Sequence, residues 1–229
     1  MKVLVTGASR GLGLEFVKQY AEEGCMVYAC CRDPRTSKPL HRISDEASGK
    51  VSMHALDVGD AKSVAALAKG FGDEPIDLLI NNAGIYGPKQ QSANDMDFDG
   101  WAETFAINSM APLRVAQAFE RNLKTGKAKK LITITSGMGS TPQHAGDYFA
   151  YRASKAAVNN VMHGLSVAWK NDGITVAVIH PGWVKTDMGG KNAALEPHES
   201  IAGMRRVIAK LTPGDSGKFL DYTGRELPW

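Results

Sequence analysis

"KVLVTGASRGLGLEFVKQYAEEG", residues 2–24, joins three kinds of sequence in one short span. KVLVT is a continuous apolar, β-branched run, as a strand covered on both faces requires. TGASRGLG then sets glycines at 7, 11 and 13. The following GLGLEFVKQYAEEG places Leu12, Phe16, Val17 and Tyr20 at the three- and four-residue spacing of an amphipathic helix. A glycine loop between a strand and a helix brings backbone close to a phosphate over unpaired helix N–H groups, so it predicts a pyrophosphate site. A glycine motif alone can equally be a plain turn; its place between strand and helix is what raises it.

The alternation continues along the chain. Strand-like runs are MVYACC (26–31), VSMHALDV (51–58), IDLLINNAG (76–84), KLITITS (130–136), ITVAVIHPG (174–182) and a last short GKFLDY (217–222). Helical patterns fall at AKSVAALAKGF (61–71), at 96–124 as one long helix or a pair, at 150–172 and at 197–211. PLHRISDEA (39–47) reads as part of a short polar joining segment. Strand, helix, strand repeated this often implies right-handed crossovers, hence an α/β fold: a doubly wound parallel sheet of about seven strands with helices on both faces. Nothing in the middle resembles a linker, so residues 1–229 are expected to form a single domain.

Composition narrows the function classes. With 43% hydrophobic and 22% charged residues the chain has an ordinary globular balance. The net charge of +3 is small, and the densest basic run, KTGKAKK at 124–130, reads as a helix end and loop, so nucleic acid is not an expected partner. Cys25, Cys30 and Cys31 have no metal spacing and read as buried free thiols, which suits a reducing cytoplasm. No stretch is long and apolar enough for a membrane span or a signal-peptide core.

YRASK, 151–155, carries the candidate chemistry. On a helix, Tyr151 and Lys155 project from one face. An ammonium ~4 Å from a phenol, at an effective dielectric of about 20, would favour the phenolate by roughly 4 kcal/mol, near three pK units. Such a phenol could exchange a proton at working pH. On its own the pair is also what an ordinary solvated helix shows.

The glycine spacing is T-G-x-x-x-G-x-G. Together with NNAG (81–84), Asn108, Ser136, YRASK and PGWVKTD (181–187) it resembles the short-chain dehydrogenase/reductase family along nearly the whole chain. CCRDP, GDYFAYRASKAA and the final GKFLDYTGRELPW are similar to its C-factor and sniffer-like carbonyl reductase branch. The resemblance implies a Rossmann fold and a catalytic set of Asn108, Ser136, Tyr151 and Lys155. Tyr151 would be the proton donor, Lys155 would tune it and reach the nicotinamide ribose, and Ser136 would bond the substrate oxygen, with Thr135 and Ser140 as competitors. Asn108 would hold a relay water; the plain reading is a helix-breaking Asn bonded to its own backbone. For the dinucleotide the resemblance implies Gly7, Ser9, Arg10, Gly11, Leu12 and Gly13, then Asp57 and Val58 at the adenine, and Asn81, Ala83 and Gly84 along the ribose. Pro181, Gly182, Val184 and Thr186 would line the nicotinamide. No metal is implied.

Cofactor choice follows from the end of the second strand. NAD sites carry an acid there, whereas this strand ends in Cys31 and Arg32. Arg10 and Arg32 could together clamp a dianionic 2′-phosphate, so NADP(H) is expected, and the resemblance implies the same, since a basic residue at each place usually accompanies NADP preference in the family. Arg32 could also be a solvated loop charge, and Asp33 turning inward would weaken the preference. A substrate lid is expected over about 186–210, beside Met138, His144, Tyr148, Phe149, Trp183 and Met188, which favour a non-polar aldehyde or ketone. Lone histidines such as His144 and His198 are read as surface residues. The implied activity is NADPH-dependent carbonyl reduction or its reverse; the alternative is an NADP(H)-binding signalling protein acting through a partner. Homodimers or homotetramers through the helices at about 100–124 and 150–171 are the family's expectation.

Overall fold

A computed structural model describes residues 1–229. The elements in chain order are β1 (Lys2–Thr6), α1 (Gly11–Glu22), β2 (Met26–Cys31), α2 (Lys38–Glu46), β3 (Val51–Ala55), α3 (Ala61–Phe71) and β4 (Leu78–Asn81). Then come α4 (Phe98–Phe105), a π-helical turn (Ala106–Met110), α5 (Ala111–Ala118), α6 (Glu120–Thr125) and β5 (Lys130–Ile134). The chain closes with α7 (Phe149–Ala168), β6 (Thr175–His180), α8 (Pro197–Lys210) and β7 (Phe219–Asp221).

All seven strands pair in parallel, in the order β3-β2-β1-β4-β5-β6-β7. The inner strands β1, β4, β5 and β6 are mainly apolar because both faces are covered, while the edge strand β3, VSMHA, is largely half-buried. Val3 and Val5 of β1 point into a core with Phe16, Val17, Met204 and Ile208, while Leu4 between them joins Val115, Phe119, Val158 and Met162 on the opposite face. The direction of winding reverses between β1 and β4, which opens a crevice at their carboxyl ends, where such sheets bind ligands.

Local capping explains several boundaries. The Asp60 and Asp97 side chains accept from Lys62 N and Gly100 N to start α3 and α4, and Gly72, at φ 53°, ends α3 in a conformation that favours glycine. Pro197 and a Glu196–Glu199 capping box start α8.

Two expectations are corrected. The segment 39–47 is mostly helix α2, whose one fully buried side chain, Leu40, left too faint an apolar period to read. The lid cannot extend to residue 210, because 197–210 is α8. Its Ile201, Met204, Val207 and Ile208 are buried against the core with α1, and at ~1.5–3 kcal/mol each their exposure would consume most of a domain's stability. No helix is long and apolar enough to cross a membrane.

Candidate active site

The glycine loop leaves β1 and enters α1 under tight steric control. A Cβ on Gly7 would come 2.9 Å from the Ala83 Cα, and one on Gly13 would come 2.2 Å from the Gly7 carbonyl oxygen. Gly7 and Gly11 also have φ of 67° and 55°. Gly13 thus lets the helix start pack against the loop, which keeps the first-turn N–H groups at the crevice floor. The loop is braced from β4 by residues the sequence did not single out. The Thr6 hydroxyl accepts from Asn82 N (3.0 Å) and Ala83 N (3.1 Å), and the Asn82 amide donates to the Thr6 and Gly7 carbonyls (2.9 and 3.3 Å). Asn81 is a structural brace, buried, with its amide donating to Pro112 O at 3.0 Å.

After β3, the Asp57 carboxylate accepts from Gly59 N at 2.9 Å, and Val58 is buried with its carbonyl accepting from Arg114. Ser37 donates to Ser9 O at 3.0 Å and ties the loop after β2 to the glycine loop. Arg32 is exposed at the end of β2. The Asp33 carboxylate accepts from the Arg35 guanidinium at 3.0 Å, which lowers its pKa and engages it away from Arg32. Arg10 is exposed and pairs with Asp187 across the crevice mouth at 3.2 Å.

The candidate catalytic side chains Tyr151, Lys155 and Ser136 come together from α7 and the end of β5. Tyr151 and Lys155 lie one turn apart on α7, both buried, with the Lys155 ammonium 5.8 Å from the Tyr151 ring centre and bonded to Ile134 O at 3.0 Å. Ser136 follows β5, with its hydroxyl beside the Tyr151 phenol and accepting from Met138 N at 3.1 Å. Of its two competitors, Thr135 is engaged by donating to Asn159 Oδ1 at 2.6 Å, and the Ser140 hydroxyl is buried without a partner. Gly139 is required here, since a Cβ would come 2.8 Å from the Lys155 carbonyl carbon.

The electrostatics reverse the expectation drawn from the YRASK spacing. Burial pushes the Tyr151 phenol up to about 12, with the Ser136 hydroxyl pulling the other way, and burial also lowers Lys155 to about 8. Desolvation of both groups outweighs their attraction, so the ammonium does not bring the phenol toward neutrality in the ligand-free protein.

Asn108 sits in the π-helical turn, a distortion that often marks functional sites. Its amide donates to Ile85 O (2.8 Å) and Ser154 Oγ (3.0 Å), and its oxygen accepts from Ile85 N (2.9 Å). Ser154 in turn donates to Tyr151 O at 2.7 Å. Both side-chain N–H groups of Asn108 are therefore committed, which leaves its side chain only a lone pair on the amide oxygen for a further bond. A Cβ on Gly84 would press on this oxygen at 3.1 Å.

Beyond Tyr151 the wall is aromatic. Tyr86 lies 4.8 Å from the Tyr151 ring and 5.1 Å from Tyr148, and the Met188 sulfur is 3.9 Å from the Tyr151 hydroxyl. Gly182, at φ 83°, turns the chain after Pro181. Val184 bridges Leu195, and Thr186 accepts from Gly189 N at 3.1 Å, which folds 183–195 into a compact cover. His144 accepts from Gly146 N within its own loop, and His198 is exposed on α8. A groove of about 470 Å³ between α8 and β7 lies apart from these groups.

The family described as short chain dehydrogenase matches residues 1–196. The chain belongs to the short-chain dehydrogenase family. Among its relatives is the C-signal of Myxococcus xanthus, 44% identical over 156 residues, which covers 68% of this chain and 93% of that protein. An NADPH-bound carbonyl reductase from chicken fatty liver has a TM-score of 0.91 at 34% identity, over 100% of this chain and 98% of its own. The carbonyl reductase Sniffer of D. melanogaster has a TM-score of 0.92 at 30% identity, over 100% and 99%. The resemblance to the carbonyl reductase and C-factor branch is thereby borne out, as is the Rossmann-like seven-stranded fold.

Proposed function

We propose that this protein is an NADPH-dependent reductase of non-polar aldehydes or ketones, with Tyr151 as the proton donor. The observation that carries this reading is the convergence of Ser136, Tyr151 and Lys155 beside a glycine-floored crevice. Gly7 and Gly13 let the loop pack closely on Ala83 and on itself, and with Ser9, Gly11 and Leu12 they form the turn at the α1 N-terminus that would receive the dinucleotide. Arg10 and Arg32 would meet a 2′-phosphate, Asp57 and Val58 the adenine, Ala83 and Gly84 the ribose, and Pro181, Gly182, Val184 and Thr186 the carboxamide. NADPH, when bound, supplies hydride to a carbonyl carbon.

The chain's own groups then handle the oxygen. The Ser136 hydroxyl orients it, and Tyr151 gives it a proton. A phenol held at about 12 stays protonated at neutral pH, the form a proton donor to a nascent alkoxide needs. Lys155, at about 8, is charged at neutral pH and stabilises the phenolate left behind. Asn108 keeps α7 and the Ile85 loop in register through Ser154. Tyr86, Tyr148 and Met188 offer an apolar, aromatic wall to the substrate, and residues 183–196 would cover it.

Further support for this reading comes from the solved relatives, whose names record carbonyl reduction and bound NADPH. NADPH oxidation followed over aldehydes, ketones and quinones tests it: turnover by wild type and its loss in Tyr151→Phe are expected, whereas no turnover with any carbonyl contradicts it. The kinship with C-signal favours a second reading, signalling through a partner, and tight NADPH binding without turnover is the result that would support that reading. Exposed Phe98, Met110 and Val167 on the α4–α5 and α7 surfaces are consistent with assembly through these helices, which light scattering would report as a dimer or larger.

A further inference from the structure

α7 carries Tyr151 in its first turn but starts without a side-chain cap of its own. Tyr148 occupies the cap position in a left-handed conformation, φ 48° and ψ 46°, and its side chain bonds none of the orphan N–H groups. Two of these groups are met by one distant residue. The Gln91 backbone carbonyl accepts from Phe149 N at 3.1 Å, and its side-chain Oε1 accepts from Tyr151 N at 3.0 Å. Its Nε2 donates to Tyr86 O at 3.1 Å and Pro88 O at 2.7 Å. Gln91 is buried, 5% exposed, so water does not substitute for any of these bonds.

We propose that Gln91 is a positioning residue for Tyr151, acting as a remote cap of the catalytic helix that also locks the Tyr86 wall against the reacting phenol. The inference rests on the reading of Tyr151 as proton donor. Helix first turns fray, and the Tyr151 phenol must stay in reach of Ser136, which is held by a different element. A misplacement of about 1 Å can cost about 10²-fold in rate. Gln91 fixes the main chain of Tyr151 from one side and the main chain of Tyr86 from the other, so both rings keep one relative position.

The test uses the full chain and two variants. Gln91→Met keeps the volume and removes both the acceptor and the donors. Gln91→Glu keeps the acceptor; protonated, it can still donate to Pro88 O, but ionised it faces the Tyr86 and Pro88 carbonyls with no hydrogen to give. Burial raises the pKa of that carboxyl, so the protonated form gains weight as pH falls. Amide hydrogen exchange of the ligand-free protein is expected to speed about tenfold or more at 149–152 in Gln91→Met and to stay unchanged elsewhere. Its kcat should fall by about 10–100-fold, with the NADPH Kd within about threefold of wild type. The kcat of Gln91→Glu relative to wild type should rise as pH is lowered from about 8 to about 6.

Wild-type exchange at 149–152 in Gln91→Met, a kcat within about threefold of wild type, or a loss of NADPH binding that parallels the loss of kcat would each overturn the proposal. Should Gln91→Met fail to fold, a flat pH ratio for Gln91→Glu overturns it. If wild type reduces no carbonyl, the functional reading fails, and the exchange measurement still decides whether Gln91 caps this helix.

Discussion

Replacing Lys155 with Met should make the ligand-free protein more stable while abolishing its chemistry. Burial lowers the Lys155 ammonium from 10.5 to about 8, a gap of about 2.5 pH units, which at ~1.36 kcal/mol per unit is about 3 kcal/mol. The sign follows from which state holds the proton. Below about pH 8 both states are protonated and the folded protein carries the whole desolvation cost. Between about 8 and 10.5 the folded state releases the proton that the unfolded chain keeps, so wild-type stability rises through that window. Met removes the cost and also the bond to Ile134 O, at 3.0 Å, a loss of about 1 kcal/mol. Lys155→Met should therefore be about 2 kcal/mol more stable than wild type at pH 7 by urea unfolding, and the difference should shrink by about 2 kcal/mol at about pH 9.5. Tyr151 sets the upper limit of the experiment: burial holds it at about 12, so its own contribution declines above pH 10. A variant less stable than wild type at pH 7, with a gap independent of pH, would refute the reasoning and mean that the ammonium is hydrated.

The crevice allows further expectations. Gly13→Ala forces a Cβ to 2.2 Å from the Gly7 carbonyl oxygen and should cost about 2–3 kcal/mol, a fall in melting temperature of about 5–10 °C, together with NADPH binding. Gly11→Ala has room, its Cβ no closer than 3.6 Å to Thr186, and should lose only the ~1–2 kcal/mol of the left-handed backbone; equal melting temperatures for the two variants would contradict the packing argument. Asp187→Asn frees the exposed Arg10 from its pair, so NADPH should bind up to about fivefold tighter with NADH unaffected. Fluorescence titration showing weaker NADPH binding would mean that Asp187 supports the site in another way.

The sheet was legible because a strand covered on both faces must be apolar along its middle, and Val3–Val5 of β1, Val27–Cys31 of β2 and Val176–Ile179 of β6 form such runs. α2 was not, since Lys38–Glu46 is polar around a single buried leucine. The reacting side chains could be placed because Tyr151 and Lys155 share a helix and Ser136 follows a strand end. The bracing roles of Thr6, Asn82 and Ser154, which lie inside the quoted motifs, and of Gln91, which lies outside them, were not legible, because each has a main-chain or side-chain partner distant in sequence and no local pattern marks that. Spacing also put Tyr151 and Lys155 on one face correctly, yet it carries no information about depth. Burial, which sets both proton affinities, became visible only with the folded chain.

The central claim is that reduced nicotinamide and Tyr151 together convert a carbonyl to an alcohol in this crevice. Incubating the full-length protein with NADPH deuterated at its transferable position and a non-polar aldehyde, then reading the alcohol by mass spectrometry, tests it most directly. Deuterium on the former carbonyl carbon with wild type, and at least about 10²-fold less with Tyr151→Phe, is the predicted result. Product lacking the label, or equal labelling by the two proteins, would contradict it.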